Sequence, residues 1–323
     1  MSGYASPHAA VAAMRNMCRQ DNLWMDGRTP SERYNFVIFD RLLRRVFSDE
    51  SSDTWLLKGG TSMLVRVPGA RTTHDIDMQV RGRSLHEAVS SLQSAISHDI
   101  GDFFRFTVVS VMPISGQPHT EGARIVIQPR IGKKSLSKIH LDIVESSLPL
   151  IGIPRQLTPT FPPAFKGDTP VPYTLYPSVD HALEKINAIT RIDASDDWES
   201  SRVRDLIDLV ILIGTRQVTP EKLAHALLID GQRKGRQPIK HIQVPESWRK
   251  DYPRIAKQTA AERIAPTFDD ALHVVQEIER STSQPTHTSS RQSEEHGDVQ
   301  VRPYTRKDGT SVQGHWRSRP TSR

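Results

Sequence analysis

Apolar residues recur every three to four positions near both ends of this chain and alternate with polar residues in its middle. The helical spacing predicts helices over residues 5–20, 29–47, 84–96, 178–193, 202–210, 219–229, 245–263 and 267–280. Strands are predicted over 55–57, 103–111, 124–128 and 138–144, where residues alternate, are β-branched or form a short apolar run. This order predicts an α/β (α+β) fold, with a mixed β-sheet in an N-lobe followed by a helical C-lobe.

Composition shifts divide the predicted fold into five segments. They are N-terminal helices over 1–50, an α/β core over 51–150, a Pro-rich crossing over 151–177, a helical C-lobe over 178–280, and a linker with a basic tail over 281–323. Proline cannot continue regular structure for long, so the crossing should connect the lobes, with Val171–Leu175 as an edge strand.

Four arginines lie opposite the apolar stripe of the 29–47 helix: Arg33, Arg41, Arg44 and Arg45. The ordinary interpretation is a solvated helix face, and the alternative is contact with the phosphates of a nucleic acid.

Charge and cysteine usage narrow the class of protein. The 323 residues carry a net charge of +6 and a pI near 9.5, which allows a polyanionic partner without requiring one. The single cysteine, Cys18, excludes an internal disulfide framework. No stretch has the roughly 20 apolar residues of a membrane span, so we expect a cytoplasmic protein.

Candidate chemistry concentrates in residues 55–80, WLLKGGTSMLVRVPGARTTHDIDMQV. The predicted strand leads into Gly59-Gly60-Thr61, where glycines let the backbone approach a ligand closely. A helix predicted to start at Thr61-Ser62 would direct backbone N–H groups back at the turn. That arrangement favours an anion such as phosphate.

Two aspartates follow the turn. Asp75 and Asp77 are two positions apart in an extended segment, so they share a face. A Gly-Gly turn alone is usually only a turn, and a lone Asp-x-Asp pair is common on solvated strands. A phosphate cradle followed by two convergent carboxylates is, however, sufficient to hold a nucleotide with its Mg²⁺.

A third acid, Asp142, interrupts the apolar strand KIHLDIVE. A carboxylate at such a position needs a partner. A structural salt bridge would supply one. The alternative is that Asp142 converges with Asp75 and Asp77 on the same metal ions, or acts as a base toward an attacking hydroxyl.

The order of glycines and aspartates resembles motif I of the polymerase-β-type nucleotidyltransferases. More specifically, LKGGTSMLVR with RTTHDID is similar to the AbiEii/AbiGii toxin family (MenT-like), whose signature reads KGGT, then R-x-T-x-D-hydrophobic-D. Residues 178–210 resemble the family's second half, with Arg204 where lysine is usual. The resemblance covers roughly residues 55–210.

The resemblance implies a nucleotidyltransferase-like N-lobe and a triphosphate in the cleft between lobes. It implies nucleotide binding by Lys58, Gly59, Gly60, Thr61, Arg71, Thr73 and Lys185, metal binding by Asp75, Asp77 and Asp142, and catalysis by these three acids with Lys185 and Asp205. Mg²⁺ or Mn²⁺ would be the cofactor and an NTP the substrate. An ion pair of Asp205 with Arg202 or Arg204 is the structural alternative for that residue.

The family's function would be that of a toxin which transfers NMP to RNA, foremost the 3′ end of tRNA, and thereby stops translation. A cognate antitoxin and a role in growth arrest or phage defence follow from the resemblance. Two alternatives remain: transfer to a hydroxyl of a protein or small molecule, and a non-catalytic regulator that binds NTP or RNA.

The last segment has its own pattern. From Ser281 the sequence is polar and of low complexity, which predicts a disordered linker. The end of the chain mixes cations with aromatics, and Lys307-Asp308-Gly309-Thr310 predicts the turn of a small hairpin. Such a set suits RNA phosphates and stacked bases, or it is a solvated basic tail.

Overall fold

The computed structural model describes residues 3–20, 28–117, 120–159, 168–190 and 199–283, and four short strands between 298 and 318. The chain forms two compact units, residues 1–283 and 284–323.

Helices flank a mixed sheet in the first unit and form a separate layer in its second half. The helices are α1 (Pro7–Arg19), α2 (Pro30–Phe47), α3 (Gly59–Arg66), α4 (Leu85–Ser97), α5 (Ser178–Thr190), α6 (Glu199–Gly214), α7 (Pro220–Arg233), α8 (Tyr252–Ala256), α9 (Ala261–Ile264) and α10 (Phe268–Ser283). Short 3-10 turns cover Ser52–Thr54 and Glu246–Arg249.

Eight strands form the sheet: β1 (Trp55–Lys58), β2 (Asp75–Val80), β3 (Phe104–Gln117), β4 (Thr120–Ile131), β5 (Lys134–Ser135), β6 (Ile139–Ser146), β7 (Arg155–Leu157) and β8 (Tyr173–Leu175). Their order is β3-β4-β6-β2-β1-β8-β7, with β5 paired to β4. The pairs β2–β6 and β1–β8 are parallel and the others antiparallel, so the predicted mixed α/β fold is confirmed.

Two hydrophobic cores meet at α3. One core lies between the sheet and helices α1, α2 and α4, and the other fills the helical lobe. Val65 packs in the first core and Met63 in the second, two residues apart on the same short helix. The glycine-containing turn that starts α3 is therefore held from both lobes.

The arginines of α2 correct both sequence interpretations, since they are neither a solvated face nor free for phosphate. Their exposed fractions are 4% for Arg33, 0% for Arg41, 7% for Arg44 and 1% for Arg45. Asp40 accepts hydrogen bonds from Arg41 and Arg44, and Asp102 binds Arg45 through both oxygens. These partners make the burial tolerable, because an unpaired buried charge is strongly destabilising.

Two further expectations were wrong in detail. The single helix predicted over 245–263 is instead a 3-10 turn followed by α8 and α9. Pro253 lacks an N–H and starts a new helix rather than continuing the preceding turn. The strand predicted over 171–175 is β8, but β7 covers it, so it is not at the edge.

The second unit contains β9 (Asp298–Val301), β10 (Tyr304–Thr305), β11 (Ser311–Val312) and β12 (His315–Ser318). Antiparallel pairing of β10 with β11 confirms a hairpin at the predicted place. Helix α10 continues to Ser283, so the predicted linker begins later than Ser281. The rest of the linker, at 284–297, and the tail's cationic and aromatic side chains lie outside the described residues.

Replacement of Asp40 by alanine should destabilise the protein by roughly 3–5 kcal/mol. Arg41, Arg44 and the Tyr173 hydroxyl all donate to this 2%-exposed carboxylate and would be left facing an apolar gap. Chemical denaturation measures the change. The control is Asp251→Ala, which removes an exposed acid paired with Arg254 and should cost less than about 1 kcal/mol. Equal effects of the two substitutions would contradict a structural role for the α2 network.

Candidate active site

The glycine turn brings bare backbone against an acidic side chain. Gly59 follows β1 with φ at +58°, a conformation that residues with a Cβ rarely adopt. A Cβ at Gly59 would lie 1.7 Å from Oδ2 of Asp77, and one at Gly60 would lie 2.6 Å from Cβ of Thr73. Helix α3 starts at Gly59, two residues before the predicted start. Both glycines are therefore required by close approach of the neighbouring segment.

Asp75 and Asp77 occupy alternate positions at the start of β2, with Ile76 between them fully buried. The Thr73 hydroxyl donates to Oδ1 of Asp75 at 2.5 Å. The Asp77 carboxylate makes no hydrogen bond or ion pair with any residue that the structure describes. Burial raises its pKa to about 6, and the nearby charges of Asp75 and Asp142 contribute to the rise. A carboxylate in this state is well suited to a cation.

Asp142 lies directly beside Asp77, because parallel β2 and β6 place the two residues in register. Both oxygens of Asp142 are occupied by Arg124, whose Nε and Nη2 donate at 2.8 and 2.7 Å. Asp75, Asp77 and Asp142 lie near one another, and the alternative considered for Asp142, a salt bridge, is present. Their convergence on shared metal ions stays a prediction. Arg124 did not figure in the sequence prediction. The signal was available, since an arginine near the middle of the apolar strand β4 also needs a partner.

Lys185 connects the acids of the helical lobe. Its ammonium lies 2.7 Å from Asp205 and 3.0 Å from Asp208. Asp205 also accepts from Arg202 at 3.0 Å, so both pairings considered for it from the sequence occur together, while Arg204 is exposed. Burial lowers the lysine pKa, but Asp208 and Asp205 outweigh it and raise the pKa above its usual value. Lys185 is therefore a fixed positive charge.

Arg71 extends this network to the sheet lobe. Its guanidinium donates to both oxygens of Asp208 at 3.0 and 2.9 Å. Asp208 is fully buried, which would raise its pKa, yet Lys185 and Arg71 hold that pKa at about 2. Sequence reasoning placed Asp208 only near Asp205 and gave it no role. Its position within the apolar run LIDLVILIG was the signal that it must be paired.

Lys58, the last residue of β1, pairs with an acid of α5. Its ammonium is 2.7 Å from Glu184 and 4.3 Å from the centre of the Tyr176 ring, and the Tyr176 hydroxyl also donates to Glu184. This lysine directly precedes Gly59, and its ammonium is held by Glu184.

Four residues expected to contact nucleotide are engaged within the chain or lie behind the cleft surface. The Thr61 hydroxyl donates to the carbonyl of Asp75, and Thr73 donates to the Asp75 carboxylate. Arg71 is committed to Asp208, and Gly60 packs against Thr73. These contacts fit a role in positioning Asp75 and Asp208 rather than in lining the cavity.

A cavity of about 770 Å³ opens between the sheet and the helical lobe. Its described lining includes Lys58, Gly59, Asp77 and Asp142 from the sheet lobe and Lys185 from α5. Asp205 and a group on α7 and the loop after it (Asp230, Arg233, Lys234 and Arg236) also line it. The cavity therefore joins the acids of the sheet to the cations of the helical lobe.

His181 is a lining residue that sequence reasoning overlooked. Its side chain is buried, and neither ring nitrogen has a hydrogen-bond partner among the described residues. Burial, reinforced by nearby Lys185, lowers its pKa well below the usual value, so the imidazole is neutral. It lies one helical turn before Lys185 and presents an unused donor and acceptor at the cavity wall.

The residues of this site fit a divalent cation. Asp77 is an unpartnered carboxylate next to Asp75, and only glycine at position 59 leaves space beside its Oδ2. Mg²⁺ is commonly held by one or two carboxylates together with substrate phosphate oxygens. Among the described residues no set of three or more His, Cys, Asp or Glu side chains is arranged to hold a metal, so a site built on all three aspartates stays a prediction.

A mixed sheet carrying a Gly-Gly turn and paired aspartates, closed by a helical lobe with a buried lysine, defines a nucleotidyltransferase-type protein. Residues 41–274 match the family model described as "Nucleotidyl transferase AbiEii toxin, Type IV TA system". The match spans most of the chain, and the protein belongs to this family of nucleotidyltransferase toxins. A cognate antitoxin and an NTP substrate are implied by membership.

Solved structures were also compared. MenT4, the nucleotidyltransferase toxin Rv2826c of Mycobacterium tuberculosis H37Rv, aligns with a TM-score of 0.48 and 15% identity over 84% of this chain and 97% of that one. JHP933 from Helicobacter pylori gives 0.43 and 14% over 78% and 92%, and a putative nucleotidyltransferase from H. pylori gives 0.43 and 13% over 79% and 96%. No curated protein matches the sequence. Among the helices described, none is both long and apolar enough to cross a membrane.

Gly59→Ala should weaken divalent-cation binding, because the new methyl group would displace the Asp77 carboxylate. Gly82→Ala is the matched control: φ is +67° there, but nothing lies within 4 Å of a Cβ. Both substitutions should cost about 1–2 kcal/mol from the left-handed backbone, and only Gly59→Ala should also reduce Mn²⁺ affinity in calorimetry. Equal Mn²⁺ affinity for the two variants would contradict the placement of the cation at Asp77.

The raised pKa of Asp77 predicts a pH-dependent stability difference. Since its pKa in the folded protein is about 6 and its ordinary value 3.8, the ionised group destabilises the metal-free protein above pH 6, and this cost disappears as the pH falls below 4. In EDTA at pH 7, Asp77→Asn should therefore raise Tm by roughly 6–12 °C, the effect of about 3 kcal/mol.

At pH 4 the same substitution should leave Tm nearly unchanged. Burial, Asp75 and Asp142 raise the pKa of Asp77, and Lys185 and Lys58 lower it. The difference in Tm between the two proteins, measured by calorimetry across pH, therefore reports the net effect of these causes. A lower Tm for the variant at pH 7 would show that ionised Asp77 is stabilised by a partner.

Proposed function

We propose that this toxin transfers NMP from an NTP to an RNA acceptor in an Mg²⁺-dependent reaction, with the 3′ end of tRNA as the target, and that the product blocks translation. The observation that carries the proposal is the unpartnered Asp77 carboxylate, held against the backbone of Gly59 in a cavity that Lys185 also lines. Family membership supports the transferase class, while the acceptor rests on the charge of the cavity wall.

In the proposed reaction an acceptor hydroxyl oxygen forms a bond to the α-phosphorus, and the bond from that phosphorus to the bridging α–β oxygen breaks. Pyrophosphate leaves, and the hydroxyl proton passes to solvent or to a nearby carboxylate. Asp75 and Asp77 would hold Mg²⁺, which would supply positive charge that stabilises the phosphate oxygens. Most of the acceleration comes from positioning and electrostatics.

The chain's own residues divide this work. Backbone N–H groups at the start of α3 would face phosphate oxygens, because this helix begins at Gly59 without a side-chain cap. Lys185 screens the charge that develops on the triphosphate, and Asp205 fixes its ammonium. Arg71 and Thr73 act by holding Asp208 and Asp75, rather than by touching nucleotide.

An RNA acceptor is supported by cations on α7 and the loop that follows it. Arg233 donates to the carbonyl of Pro149, and no described carboxylate lies within ion-pair distance of it. Lys234 and Arg236 share Asp230, leaving a net positive charge on this wall of the cavity. Such a surface suits a sugar–phosphate backbone. The buried arginines of α2 no longer contribute to this argument.

Transfer can be tested with each of the four labelled NTPs, Mg²⁺ and total tRNA. Label should enter RNA with at least one NTP, and Lys185→Ala should reduce the rate by about 10²–10³-fold, as for loss of a fixed electrostatic group. Lys222→Ala, an exposed lysine on α7, is the control for charge and should transfer at the wild-type rate. Asp77→Asn should abolish transfer, with exposed Asp53→Asn as its control.

The result also separates the alternatives. Label in protein bands or small molecules, but not in RNA, would replace the acceptor and keep the chemistry. NTP binding without transfer, together with toxicity that Asp77→Asn leaves unchanged, would instead identify a regulator and overturn the proposal.

A further inference from the structure

We propose that Arg124 takes the place of one of the two divalent cations that a three-carboxylate site would hold, so that this enzyme works with a single metal ion. The inference rests on the proposed function, but it concerns the number of ions bound and is testable separately from transfer.

The first argument is the strand register. Arg124 of β4 lies opposite Asp142 of β6, and Asp142 lies beside Asp77 of β2. One guanidinium and two carboxylates therefore stand in a row across three adjacent strands. Because directly paired residues have their Cβ atoms on the same face about 5 Å apart, this contact follows from the sheet itself and not from a flexible loop.

The second argument is the occupancy of the oxygens. Arg124 donates to Oδ1 and Oδ2 of Asp142 at 2.8 and 2.7 Å, the planar two-point geometry that guanidinium and carboxylate favour. Asp77, in contrast, has no partner in the described part of the chain. A metal ion bound beside Asp77 thus meets carboxylate oxygens that have no other partner. A second metal ion at Asp142 would have to displace the guanidinium of Arg124 on the neighbouring strand.

The third argument is charge. Asp75, Asp77 and Asp142 carry three formal negative charges and Arg124 one positive charge, which leaves two for the cation to balance. Asp142 is the main cause of the raised pKa of Arg124, and Asp75 and Asp77 make smaller contributions. All three acids therefore act on this guanidinium. Because Arg124 already offsets one of the three carboxylates, a second divalent cation would meet a less negative site.

The inference predicts the state of Mn²⁺ in a complex with a non-hydrolysable NTP analogue. Two Mn²⁺ ions in one site lie about 4 Å apart and couple magnetically. The electron paramagnetic resonance spectrum of the wild-type complex should therefore be that of an isolated ion, and metal analysis should give about one Mn²⁺ per chain.

Arg124→Ala should free Asp142, raise the ratio from about one to about two, and produce a coupled spectrum. Arg124 is half exposed, so the variant should fold. The control is Arg130→Ala, an exposed arginine on the same strand with the same charge change, which should resemble wild type. Asp142→Asn added to Arg124→Ala should remove the second ion again.

Coupled Mn²⁺ in the wild type would overturn the inference, as would a single ion in Arg124→Ala. Transfer to RNA with coupled ions would retain the proposed function and refute only the single-ion state. One uncoupled ion without transfer to any acceptor would retain the single-ion inference and refute the proposed function.

Discussion

The arrangement of the site depends on the carboxylate of Asp208. This side chain is fully buried in α6 and binds Arg71, 137 residues earlier in the sequence, and Lys185 on α5. Removal of the carboxylate would leave the buried Arg71 without its acid and Lys185 with Asp205 alone, which costs several kcal/mol. The backbone bond from Ala260 N–H to the Gly69 carbonyl, at 2.7 Å, joins the same segments. Loop, sheet and helical lobe are thereby fixed to each other around the cavity.

This attachment leaves one charge uncompensated. In the helical lobe Asp205 pairs with Lys185 and Arg202, and Asp208 pairs with Lys185 and Arg71. On the sheet Arg124 neutralises Asp142, whereas the Asp77 carboxylate in the cavity has no partner among the described residues. An interior that satisfies its other carboxylates and leaves this one at a raised pKa has a place for a cation that comes from outside the chain.

The sequence predicted which acids lie together wherever strand geometry alone determines their positions. Alternation brought Asp75 and Asp77 to one face, and the convergence of Asp142 followed from a second strand with the same kind of interruption. It failed where partners are remote. Arg45 looked solvated because Asp102 is more than 50 residues away, and Arg71 looked free because Asp208 is on another lobe. A helix pattern records which residues share a face, but it does not record what packs against that face.

The same distinction separates the chemistry of this protein from its choice of acceptor. The glycines and aspartates that we propose for the triphosphate site lie on α3 and β2, where close approach requires glycine at fixed positions. The cations of the opposite wall lie on α7 and its following loop, and they are anchored by Asp230, Asn187 and backbone carbonyls. None of these contacts involves the glycine turn or β2, so these cations can change without disturbing Asp77. On the proposed function, the acceptor would therefore be chosen by α7 and its loop, while Asp77 and Lys185 would serve the transfer step.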